Sequence, residues 1–147
     1  KVSSVLNGAT AEFGNKNMFD GGDVTCWNSD GVRTIQRYMC AHLIFCGITQ
    51  GSPQTVTIDF GRKVRLHHMD VMFQGGFVGK DPIMACGESL KELVPCETFD
   101  PADTNDIQTF QIQAQGEVGP ITARYLKIEF HSSTDFYGRI TIYQFKV

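Results

Sequence analysis

The chain has 147 residues, 41% hydrophobic and 20% charged, with a formal net charge of -3. That length suits one domain around one packed core, and the composition excludes both a disordered chain and a membrane-embedded one. Without an excess of lysine and arginine there is no chain-wide attraction for a phosphate backbone, so direct nucleic-acid binding is not expected.

From the N-terminus, Lys1-Val2-Ser3-Ser4 has no apolar core of the signal-peptide kind. Because the first residue is not Met, a short N-terminal piece is expected to precede it. Asp20-Gly21-Gly22-Asp23 is an acidic, glycine-containing turn that leads through Thr25 into Trp27, the only tryptophan. The segment 32–50 mixes Arg33, Gln36, Arg37 and His42 with Ile35, Tyr38, Leu43 and Phe45, giving neither a clean strand alternation nor a capped helix. Its apolar run at 41–46 is interrupted by His42 and is far shorter than the about 20 residues of a membrane helix.

Residues 54–60 then alternate, with Val56, Ile58 and Phe60 on one face of an expected strand. Gly61-Arg62-Lys63 reads as a turn. A second strand is expected over 64–73, with Leu66 and His68 on one face and His67, Met69, Val71 and Phe73 on the other. Residues 123–130 and 139–147 alternate again. Turn signals separate these runs at Gly75-Gly76, at 100–103, at 116–120 and at 132–135. Many short strands, regular turns and no long amphipathic helix predict an all-β sandwich or barrel.

The cysteines, Cys26, Cys40, Cys46, Cys86 and Cys96, are odd in number and contain no C-x-x-C pair or zinc-finger spacing. Thiols serving as small apolar core residues in a reducing compartment are the expectation. No nucleophile elbow, H-E-x-x-H motif or phosphate loop is present, so no enzyme is expected.

The order of these pieces carries a resemblance. The run from Asp20 through Thr25-Cys26-Trp27-Asn28-Ser29, the Val56-Thr57-Ile58-Asp59-Phe60 strand, Gln74-Gly75-Gly76 and the Ala123-Arg124-Tyr125-Leu126-Lys127-Ile128 strand resemble the discoidin (F5/8 type C, galactose-binding-like) family. The resemblance implies a discoidin-like jelly-roll β-sandwich over 1–147, interrupted at 32–50 by an insertion. The codons of Val32-Arg33 and Gln50 could carry splice-like ends, so the segment reads either as a translated intron or as a genuine loop packed over one end of the sandwich. Val2 to Asn7, Thr25 to Asp30, Gln74 to Phe77 and Thr134 to Arg139 look like the nuclear-receptor-associated members of that family. They imply a non-enzymatic intracellular protein-binding module, in nucleus and cytoplasm, whose protein partner is a nuclear receptor and whose effect on transcription is repressor-like. Secreted discoidin domains tie their ends with a Cys pair, and here neither end carries one, which favours the intracellular reading.

Candidate sites follow. Asp20, Asp23 and Thr25 could place oxygens around a structural Ca²⁺, as the resemblance implies, or close a turn by side-chain to backbone bonds. Gln144 is the nearest candidate to complete a calcium shell from the last strand. Gln74, Phe77, Asp135 and Arg139 are the candidate partner-binding residues. Asp135 and Arg139, four apart around Gly138, make either a loop-fixing ion pair or a partner contact. Phe77 either faces solvent as an anchor or folds back as a plug. Trp27 is expected in the core rather than under a ligand. His67 and His68 point to opposite faces and cannot share a metal. A carbohydrate-binding module is the alternative function, and a metal-dependent hydrolase built on Asp20, Asp23 and a histidine ranks last.

Overall fold

The structure is a computed structural model that describes residues 1–31, 53–116 and 119–147, together with the backbone of two strands within 35–48. In chain order the strands are β1 Trp27–Asn28, β2 Ile35–Cys40, β3 Leu43–Ile48, β4 Gln54–Leu66, β5 His68–Phe73, β6 Gly79–Gly87, β7 Val94–Pro95, β8 Ile107–Gln111, β9 Ile121–Ser133 and β10 Thr141–Lys146. They build two antiparallel four-stranded sheets, ordered β4-β9-β6-β7 and β1-β10-β5-β8.

Alternation explains why these runs become sandwich strands. In β9, Leu126, Ile128 and Phe130 are buried, while the intervening Lys127 and Glu129 form an ion pair on the outer face. In β5, Met69, Val71 and Phe73 are buried in the same way. The two inner faces meet where Phe73 of one sheet packs edge-to-face on Phe130 of the other, ring centres 6.0 Å apart. Gly79 opens β6 beside this contact. A Cβ there would lie 2.4 Å from the Phe130 ring, so only glycine lets β6 approach β9 at that point. Trp27 is fully buried, with its indole N–H donating to the Ser4 carbonyl at 2.9 Å, the core role expected of it.

One expectation is corrected. Gly61-Arg62-Lys63 does not end the strand, because β4 runs on to Leu66 through a bulge between Asp59 and Val64. Asp59 braces the bulge. Its carboxylate accepts two hydrogen bonds from Arg124, at 2.9 and 3.1 Å, and one from the Gly61 amide at 2.8 Å. Gly61 has φ 72°, which suits a residue without Cβ. The chain changes sheets at His67 instead, and the inward phase moves from Leu66 to Met69. His67 and His68 are both exposed.

Strands β2 and β3 form a hairpin in register from Ile35 opposite Ile48 to Cys40 opposite Leu43, as a separate two-stranded sheet. Backbone pairing thus occurs where the sequence showed no strand alternation. Residues 32–34, 41–42 and 49–52, and the hairpin's side chains, lie outside the described residues, as does the core role expected of Cys40 and Cys46. The insertion reading of 32–50 therefore rests on the flanks. Gln54, buried at the start of β4, donates from its amide to the Asp30 carbonyl at 3.0 Å. Its own carbonyl accepts the hydroxyls of Ser3 and Ser4, and Ser4 in turn accepts the Asp30 amide. The residues on either side of the hairpin are thereby joined to each other and to the N-terminal segment.

Candidate partner-binding surface

At one end of the sandwich β1, β5 and β9 finish and β6, β8 and β10 begin. The connections 29–31, 74–78, 100–106 and 134–140 converge there. Asp135 organises the last of them. Its side chain is 9% exposed, and its carboxylate takes Arg139 in a forked pair, Nε to Oδ2 and Nη2 to Oδ1, each at 3.0 Å. Oδ2 also accepts the amides of Tyr137 and Arg139 at 3.1 and 3.0 Å. Burial pushes this carboxyl up, but the Arg139 guanidinium and the two amides outweigh it and hold the group below the ordinary carboxylate range. Gly138, at φ 78°, completes the turn by donating its amide to the Asp135 carbonyl.

Arg139 connects this turn to the next loop. Its guanidinium carbon lies 4.9 Å from the centre of the Phe77 ring and 5.5 Å from that of Tyr137. Gly31 passes directly beneath, where a Cβ would sit 3.1 Å from Arg139 Cγ and 3.2 Å from the Tyr137 carbonyl oxygen. The loop holding Phe77 is fixed from two sides. Backbone bonds tie Gln74 and Phe77 to Thr141, while Asn105 accepts the Gly75 amide and Asp103 the Gly76 amide.

Of the four residues anticipated for partner binding, Phe77, Asp135 and Arg139 are thus one connected group, and Gln74 starts the turn that delivers Phe77. Asp135 uses its acceptors inside the loop, so it acts as a brace. Phe77 lies against Arg139, its ring facing the guanidinium. Sequence reasoning passed over Phe136 and Tyr137, which are 64% and 53% exposed with their rings edge-to-face at 5.3 Å. The available signal was two consecutive aromatics inside an Asp-to-Gly turn, where neither can point into a core.

The Asp20 loop lies elsewhere, ahead of β1, where Phe19 packs on Phe145. Asp20 accepts the Thr25 hydroxyl on one oxygen and the Gly22 amide, at 2.8 Å, on the other. These two bonds hold its carboxyl below the usual range. Asp23 is exposed, and Gln144 is half-buried in register with Met72. Among the described residues no three His, Cys, Asp or Glu side chains gather as a metal site. Ca²⁺ takes about 6 to 8 oxygens. The donors fit a self-closed turn better than that shell.

The fold defined above is that of F5/8 type C, discoidin-like domains. An F5/8 type C domain from Bacteroides fragilis superposes with TM-score 0.71 at 16% identity, covering 99% of this chain and 87% of that one. The CBM32 of AlyQ in complex with 4,5-unsaturated mannuronic acid does so with TM-score 0.62 at 17% identity, covering 99% and 91%. No family model matches the chain. Over its full length, however, it is 36% identical to nuclear receptor 2C2-associated protein of Homo sapiens, covering 88% of that protein, and 35% identical to the Mus musculus protein, covering 87%. The chain belongs to the nuclear receptor 2C2-associated protein family.

Proposed function

We propose that the loop end carrying Phe77, Phe136, Tyr137 and Arg139 is the docking surface for a protein partner, a nuclear receptor. The chain acts there as a non-enzymatic modulator, repressor-like in effect, in nucleus and cytoplasm. The observation that carries this is an exposed aromatic pair on a turn that Asp135 and Arg139 already hold rigid. Aromatic and arginine side chains dominate binding hot spots, and a surface ordered before binding loses little further entropy on contact. The names of the relatives support the partner class, since those proteins are called receptor-associated. They are not named for a reaction, in keeping with a binding role.

Capture of nuclear receptor 2C2 by the purified chain tests the proposal. The double variant Phe136→Ala, Tyr137→Ala is expected to weaken capture roughly thirtyfold or more while melting like the parent, as is usual for exposed anchors. Undiminished capture would move the surface elsewhere.

A second reading, a carbohydrate-binding module, is favoured by one observation: an exposed aromatic pair beside a guanidinium is also a platform for a sugar ring. One solved neighbour, the CBM32 of AlyQ, is in complex with 4,5-unsaturated mannuronic acid. A glycan array run beside the receptor assay separates the two, and strong sugar binding without receptor capture reverses their order.

A further inference from the structure

At the opposite end of the sandwich Cys86 and Cys96 approach with their sulfurs 3.0 Å apart. Both residues are buried, at 1% and 4% exposure. The approach follows from strand register. Cys86 pairs with Val94 and Ala85 with Pro95, and the Cys96 amide continues the ladder by donating to the Met84 carbonyl at 2.8 Å. Cys86 and Cys96 therefore project from the same face of adjacent chains, one diagonal step apart. A disulfide needs its sulfurs at about 2.05 Å, so the pair is about one ångström from bonding distance. Cys86 also lines a cleft of about 530 Å³, walled by Glu88, Glu92, Ala114 and Thr122. That volume admits a small oxidant.

We propose that Cys86 and Cys96 are a redox modification site, closing to an intramolecular disulfide when the domain meets a hydroperoxide. The Cys86 thiolate attacks one peroxide oxygen. An S–O bond forms, the O–O bond breaks, and the departing alkoxide or hydroxide takes up a proton, leaving Cys86 as a sulfenic acid. The Cys96 sulfur then attacks the Cys86 sulfur. The S–S bond forms, the S–O bond breaks, and hydroxide leaves as water with the Cys96 proton. Two thiols lose two electrons to the peroxide; with hydrogen peroxide the other product is two molecules of water. Cys86 lines the cleft and Cys96 does not, which assigns the first attack to Cys86. Cys26 does not line that cleft, and burial pushes its thiol up.

Peptide mapping of the full chain decides the matter. Reduced protein freed of reductant is treated with hydrogen peroxide, quenched in acid, alkylated under denaturing conditions and cleaved after Lys and Arg. Cleavage at Lys91 separates the two cysteines, so the expected product is peptide 81–91 linked to peptide 92–124, lost again on reduction with dithiothreitol. The Cys96→Ala variant should give no linked pair and should carry Cys86 on to sulfinic acid. If both cysteines of the treated parent stay alkylatable, if Cys86 is over-oxidised without the linked pair, or if links to Cys26, Cys40 or Cys46 form in equal yield, the proposal is overturned. The parent's map decides even should the variant not fold.

Discussion

Two turns in this domain are built around an aspartate, and they do different things. Asp20 and Asp135 each accept an amide two residues ahead, the local bond that makes aspartate a turn former. Asp20 adds only the Thr25 hydroxyl and stands exposed, so its turn shapes the approach to β1 and little else. Asp135 is buried and adds the forked Arg139 pair, whose guanidinium also meets Phe77 and Tyr137. The lesson is that the turn motif alone predicts no function. Function follows from what burial and a guanidinium attach to the turn.

Five experiments press on that contrast. Trp27 stands on β1 between the two regions, so Trp27→Ala should loosen both at once. A loss of about 3 to 5 kcal/mol in denaturant unfolding is expected for a fully buried aromatic. A stable variant that had lost only binding would remove Trp27 from the core.

Asp135→Ala should follow, at about 2 to 4 kcal/mol, because it leaves a half-buried guanidinium and two amides without their acceptor. Asp20→Ala, at an exposed site, should move the melting midpoint far less. Since the folded Asp135 carboxyl lies below its ordinary value of 3.8, its contribution is fully present above that pH and is lost as pH falls through the lower folded value. The stability gap between parent and Asp135→Asn should therefore be constant near neutrality and shrink below about pH 4. A gap independent of pH would mean the charge on Asp135 does not hold the turn.

Deleting 32–50, so that Gly31 joins Gly51, tests whether the loop end depends on the hairpin between them. The shortened chain should fold and keep its melting midpoint within a few degrees, because surface loop length costs little. Failure to fold, with mature transcripts that all encode the segment, would end the insertion reading. The smallest effect belongs to metal. In protein stripped beforehand, excess Ca²⁺ and a chelator should give the same midpoint, and a clear rise with Ca²⁺ would show that the Asp20 turn holds a cation after all.

Much of this was legible in the residues themselves. The alternation at 54–60 and 123–130 marked two neighbouring strands of one sheet, and the size and apolar bulk of Trp27 pointed to its burial. Strand β6 was not legible, since Pro82 argues against a paired strand. It is tolerated because β7 covers β6 only at Ala85 and Cys86, leaving the proline on an open edge. The sheet change at His67 was hidden because no turn residue marks the place where the apolar phase moves from Leu66 to Met69, while Gly61, two residues after Asp59, offered a false stop. Of the site, the four-residue spacing of Asp135 and Arg139 could be read directly. The meeting of Phe77 with Arg139 could not, because it depends on Gln74 and Phe77 pairing with Thr141 across two loops distant in sequence.

The clasp of Gln54, Asp30 and Ser4 has a consequence for how this chain can vary. Because the two flanks of the hairpin are fastened to each other, the domain is closed below that point whatever the enclosed stretch encodes. Each doubling of such a stretch costs only about 0.6 kcal/mol. The position is a natural port for foreign sequence: an epitope or a small reporter domain placed there would be carried beside the Arg139 turn, with the sandwich left to fold as before.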